Sequence, residues 1–144
     1  MTFQRKEYQE TALGILETYL ETARVHGAKP AFESVTKEAG QPRTYKPLLP
    51  LPEVPYICLR IPTGGGKTYM AARSASIAAD KYLDQEYPII LWLVPTKVIR
   101  EQTLETLKKP NHPNREALMD AFKGHVKVLD ISEFTQIRPQ DLRE

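Results

Sequence analysis

The stretch Ile61-Pro62-Thr63-Gly64-Gly65-Gly66-Lys67-Thr68 decides how this chain is read. Three consecutive glycines let a backbone curl with no Cβ in the way, so that successive N–H groups turn toward one point. An apolar run, residues 54–61, precedes them, and a helical pattern, residues 67–83, follows. Strand, glycine-rich turn and helix form the setting in which such a turn cradles phosphate. The helix start adds orphan N–H donors and the positive end of its dipole. Lys67 supplies a full charge for the β- and γ-phosphates, and the Thr68 hydroxyl is placed to ligate Mg²⁺. The strict form, G-x-x-x-x-G-K-[ST], puts its first glycine at position 61, where this chain carries Ile61. The competing reading is a glycine-rich turn with a chance Lys-Thr.

Working outward, residues 7–26 predict a helix. Tyr8, Ala12, Ile15, Leu16, Tyr19, Leu20 and Ala23 recur at three- and four-residue steps, with core packing as the role of both tyrosines. Gly27 suits its C-terminus. Residues 28–53 carry five of the 12 prolines and read as an exposed connector, with a short helix over 32–39 stopped by Gly40. Residues 54–61, 88–94 and 126–131 read as strands, the second as a continuous apolar run buried on both faces. Residues 97–109 and 115–123 read as helices, and 132–137 as the start of another. Strands alternating with helices predict an α/β fold built of βαβ units, a parallel β-sheet with helices on both faces. The expected organisation is an N-terminal helix over 1–27, a Pro-rich connector or insertion over 28–53, and a nucleotide-binding region over 54–144.

On these residues the chain resembles the superfamily 2 helicases and translocases of the DEAD/DEAH-box group. Pro62-Thr63-Gly64-Gly65-Gly66-Lys67-Thr68 is similar to their motif I. Pro95-Thr96-Lys97, followed by Ile99 and Gln102, is similar to motif Ia. Phe3, Tyr8 and Gln9 resemble the glutamine motif. The nearest likeness in style is to the large subunit of type III restriction enzymes and related defence helicases. The resemblance implies a partial RecA-like P-loop NTPase domain that binds ATP and Mg²⁺. It implies Thr63, Gly64, Gly65, Gly66, Lys67 and Thr68 at the phosphates, with Lys67 and Thr68 in the catalytic machinery and Thr68 at the metal. Gln9 falls at adenine; its other reading is a solvated helix glutamine. Pro95, Thr96, Lys97 and Gln102 fall at nucleic acid, DNA being favoured over RNA; Thr96 also fits simple helix capping. The implied partners are a second motor domain and a methyltransferase subunit.

The family needs an Asp-Glu-x-His/Asp box for hydrolysis, and no Asp-Glu dipeptide occurs in the chain. The expectation is therefore a piece ending before that box, which binds nucleotide but is inactive alone. The alternative is a non-catalytic nucleotide- or nucleic-acid-binding module that keeps the fold without hydrolysis. Composition fits either. Of 144 residues, 41% are hydrophobic and 26% charged, which excludes a disordered tail or a collagen-like rod. A formal charge of +2 makes any nucleic-acid surface local, and Arg100, Lys108, Lys109 and Arg115 are candidates to extend one. No apolar run approaches the ~20 residues of a membrane span, so a cytoplasmic location is expected. The single cysteine, Cys58, excludes an internal disulfide and reads as buried and inert. Trp92 reads as core. The three histidines lack metal-ligand spacing and read as surface residues. Asp130 is a weak candidate for Mg²⁺.

Overall fold

A computed structural model describes residues 6–136 as two compact units that divide between Ile90 and Leu91. In the first, α1 (Glu7–His26) presents Leu13, Leu16, Tyr19, Leu20 and Ala23 as its buried stripe. Gly27, at φ 87°, turns the chain and lets its N–H reach the Ala23 carbonyl. Helix α2 (Ala28–Glu38) starts at once. It contains Pro30 without strain, because the missing N–H falls in the first turn, where no intrahelical acceptor exists. Ala31, Phe32 and Val35 pack against α1, with the Phe32 ring edge-on to Tyr19.

Helix α3 (Lys67–Ile77) runs on into a π-helical turn, Ala78–Leu83, that ends at Asp84 in the left-handed region. Its small residues pack closely. Ala72 and Ala79 are fully buried, and their size permits close approach of neighbouring backbone. Lys81 pairs with Glu17 and Arg24 with Asp84, both at the surface, where such pairs add little stability.

The Pro-rich connector is anchored by tyrosines. Buried Tyr45 stacks obliquely on Phe32; its hydroxyl donates to the Val54 carbonyl and accepts from the Tyr56 N–H at 2.9 Å. The Tyr19 hydroxyl is buried with no hydrogen-bond partner, and burial beside Tyr45 raises its pKa well above the ordinary phenol value.

The second unit pairs α4 (Lys97–Lys108) with α5 (Pro113–Ala121) over Leu107, Ala117, Leu118 and Phe122. Helix α5 starts as its sequence directs. His112 accepts from the Asn114 N–H, and Pro113 takes the first helical position. A 3₁₀ turn, Ile131–Gln136, follows.

The expected α/β architecture is overturned. The described residues form helices and turns, with no strand among them and hence no parallel sheet of RecA-like type for helices to cover. Residues 54–61 and 88–94 are largely apolar, and 126–131 mix apolar residues with Lys127 and Asp130, but none of the three exchanges ladder hydrogen bonds with another. In the first, Pro55, Ile57, Leu59 and Ile61 are half-buried, and Ile57 and Leu59 pack onto the helical core. The alternate residues face outward, so Cys58 is exposed rather than buried. In the second, Ile89, Leu91 and Leu93 are at least 80% exposed, and Trp92 is only half-buried. Proline at 88 and at 95 leaves no backbone donor at either limit of that run. No helix among the described residues is long and apolar enough to cross a membrane.

Candidate phosphate-binding site

The glycine loop closes as a turn in which the Gly65 N–H donates to the Pro62 carbonyl at 3.0 Å. Gly64 and Gly66 lie at φ 73° and 77°, a region that side-chain-bearing residues avoid. The Gly66 carbonyl then accepts from the Met70 N–H and starts α3. The middle glycine is required for space. A Cβ on Gly65 falls 2.7 Å from Ile61 Cγ2, 2.8 Å from the Pro62 oxygen and 3.0 Å from the Tyr8 hydroxyl. Ile61, which replaces the expected first glycine, thus fills the space beneath Gly65.

Helix α1 holds this loop from outside. Tyr8 Oη donates to the Gly65 carbonyl at 2.9 Å, and Gln9 Nε2 donates to the same oxygen at 2.8 Å. Gln9 is 2% exposed, and its Oε1 accepts from the Lys6 N–H at 3.0 Å, one half of a capping box. The amide has two N–H bonds, so one remains beyond its bond to Gly65. A Cβ on Gly66 falls 2.9 Å from that same nitrogen. The structure therefore brings Gln9 to the phosphate loop rather than leaving it solvated. The Tyr8 hydroxyl is a loop contact to which the sequence reading gave no role. Helical spacing put Tyr8 with the core, whereas it is 37% exposed.

Lys67 and Thr63 are exposed, and Thr68 is half-exposed. Among the described residues no carboxylate pairs with Lys67, and the Thr68 hydroxyl has no hydrogen-bond partner. A free ammonium, a free hydroxyl and a loop that only glycine can line are the donor set that a phosphate with its Mg²⁺ requires, so the residues present fit these groups. Beside Lys67, a groove of about 430 Å³ runs between Leu16, Leu20, Ile57, Leu59 and Met70. Its walls are mainly apolar.

The motif Ia residues Pro95, Thr96, Lys97 and Gln102 are all exposed. Thr96 caps α4, its hydroxyl accepting from the Ile99 N–H at 3.3 Å, and Lys97 lies 3.7 Å from Glu101. Three of the four cations that could widen this surface are spent locally, and Lys109 stays exposed. Arg100 pairs with Asp130, Lys108 with Glu133, and Arg115 donates to the Leu107 carbonyl at the end of α4. Asp130 also accepts from the Ser132 hydroxyl, so its oxygens serve Arg100 and Ser132. Among the described residues no group of three His, Cys, Asp or Glu is placed to hold a metal. Phe3 lies outside the described residues.

The Asp130–Glu133 corner should make the second unit acid-sensitive. The Ser132 hydroxyl, the Ile131 backbone and nearby Arg100 hold the Asp130 carboxyl below its ordinary range. The Asp130 N–H and Lys108 do the same for Glu133. A lowered folded-state pKa contributes stability above the unfolded value and loses it as pH falls through the folded one. Thermal midpoints should therefore drop as pH falls below about 4, where carboxylates ordinarily protonate. Glu133→Gln should show a smaller acid-induced drop than the parent chain, and an equal drop would contradict the assignment.

The model of the type III restriction enzyme res subunit matches residues 2–138. No curated protein and no solved structure matches the chain. The matched span covers the Tyr8-Gln9 pair, the glycine loop and the Pro95–Gln102 motif together. The family is of helicase type, an ATPase family that uses ATP and Mg²⁺ and engages nucleic acid. This chain belongs to the type III restriction enzyme res-subunit family.

Proposed function

We propose that the chain is the ATP-binding part of a nucleic-acid-dependent ATPase, a helicase or translocase of a type III restriction or related phage-defence enzyme. The observation that carries this reading is the glycine loop fixed from behind by α1, with Lys67 and Thr68 left free at its mouth. Gly64, Gly65 and Gly66 offer N–H groups to the phosphates, with Thr63 beside them. Lys67 neutralises β/γ charge, Thr68 holds Mg²⁺, and the spare N–H of Gln9 is available to the base. Bound Mg²⁺ supplies charge neutralisation at the phosphates. Pro95, Thr96, Lys97 and Gln102 offer a capped helix start and a cation to a nucleic-acid backbone, with DNA as the expected strand. A second motor domain and a methyltransferase subunit are the expected partners.

Hydrolysis needs an acidic pair to hold metal and position water, and the sequence has no Asp-Glu. The chain alone should therefore bind Mg·ATP without turning it over. Calorimetric titration with Mg·ATP, followed by a steady-state phosphate-release assay, tests both halves. Saturable binding with negligible release is expected. Release at ~1 s⁻¹ or faster, an ordinary enzyme rate, overturns the reading of these residues as the cradle alone.

A further inference from the structure

The Gly65–Gly66 peptide is the joint of the phosphate loop. No peptide in the described chain is cis. In a trans peptide the C=O and the following N–H point in opposite directions. Whatever fixes the Gly65 carbonyl therefore also aims the Gly66 N–H. With no side chain on either residue, nothing local resists rotation of this peptide plane, so its orientation must be imposed from outside. Two donors from α1 impose it, Tyr8 Oη at 2.9 Å and Gln9 Nε2 at 2.8 Å. Both pull the carbonyl toward α1, so the Gly66 N–H points away from α1. The two donors are not equivalent. Gln9 also accepts from the Lys6 N–H and has one amide hydrogen to spare. A ligand that accepts from this second hydrogen would share the amide with Gly65. Among the described residues Tyr8 Oη has one hydrogen-bond partner, the Gly65 carbonyl.

We infer that Tyr8 is a positioning residue of the phosphate site: its hydroxyl, with the Gln9 amide, locks the Gly65–Gly66 peptide so that the Gly66 N–H faces the anion. This rests on the phosphate-binding reading above, although the lock itself exists without ligand. It predicts that the phenolic oxygen matters and the ring does not. It also gives Gly65 a second reason to be glycine, since a Cβ there falls 3.0 Å from that oxygen.

The test compares the parent chain with Tyr8→Phe, and with Ile15→Ala, which trims α1 away from the loop and keeps the phenol. The Gly66 amide resonance is recorded without ligand, and tripolyphosphate affinity is measured by calorimetry. Tyr8→Phe should shift or broaden the Gly66 amide and weaken tripolyphosphate binding about 5-fold, the worth of about one hydrogen bond. Ile15→Ala should leave both unchanged. An unmoved Gly66 amide in Tyr8→Phe overturns the inference, as does equal weakening of binding by Ile15→Ala. A parent chain that binds no tripolyphosphate overturns the phosphate reading instead, and the ligand-free Gly66 comparison still decides the lock.

Discussion

Lys67→Ala should weaken Mg·ATP binding about 10- to 150-fold with little loss of fold stability. The range follows from about 1.5–3 kcal/mol for hydrogen bonds made by a charged group. The fold is spared because Lys67 is exposed and pairs with no carboxylate among the described residues. Exposed substitutions of this kind usually stay within about 0.5 kcal/mol. Calorimetry and a thermal melt on the same samples separate the two effects. Unchanged affinity would remove Lys67 from the phosphate site. A lowered midpoint accompanying the lost affinity would mean that the ammonium supports the fold rather than the ligand.

Gly65→Ala should cost about 1–3 kcal/mol of stability, the usual range for overpacking, and should disorganise the phosphate loop as well. Three atoms crowd the new Cβ, and they differ in how far they can yield. Ile61 Cγ2, at 2.7 Å, belongs to a side chain that can rotate. The Pro62 oxygen, at 2.8 Å, cannot withdraw without breaking the turn bond that it accepts from the Gly65 N–H. The Tyr8 hydroxyl, at 3.0 Å, can move only by releasing the Gly65 carbonyl. Ile61→Ala in the same chain should therefore recover part of the loss and not all of it. Gly64→Ala makes a useful contrast. Its Cβ meets nothing within 4 Å, and the only cost is the left-handed backbone at φ 73°, about 1–2 kcal/mol. Chemical denaturation of the three variants should rank Gly65→Ala as the most damaging. A milder effect than that of Gly64→Ala would show that the loop relaxes more freely than its contacts imply.

The helices were legible because their cues are local. The 3.6-residue spacing of Leu16, Tyr19, Leu20 and Ala23, with Gly27 beyond, fixes α1 within its own segment. Thr96 before 97–108 acts the same way, whereas α5 begins at Pro113, two residues before the expected start at 115. The glycine loop was legible because three glycines before Lys-Thr serve few other purposes. The sheet was misread because pairing is not a local property. A short apolar run fits a strand between two neighbours and equally a single chain lying on helices. Residues 54–61 do the latter, which is why every second residue, Cys58 among them, faces outward.

Contacts that join distant segments were the least legible. Tyr8 and Gly65 lie 57 residues apart, and nothing around either one announces the other. The same holds for Lys108, which reaches Glu133 instead of extending a basic surface. Gln9 is the instructive middle case. The motif resemblance brought it to the nucleotide site, and the structure adds that its amide already grips the loop it serves.

The central claim is that residues 64–67, held from behind by α1, form an anion cradle. Titrating tripolyphosphate into the ¹⁵N-labelled chain and following every backbone amide tests it most directly. Saturable shifts that are largest at Gly64, Gly65, Gly66 and Lys67, and lost in Lys67→Ala, are the predicted result. Shifts confined to other segments, or none at those four amides at saturating ligand, would contradict it.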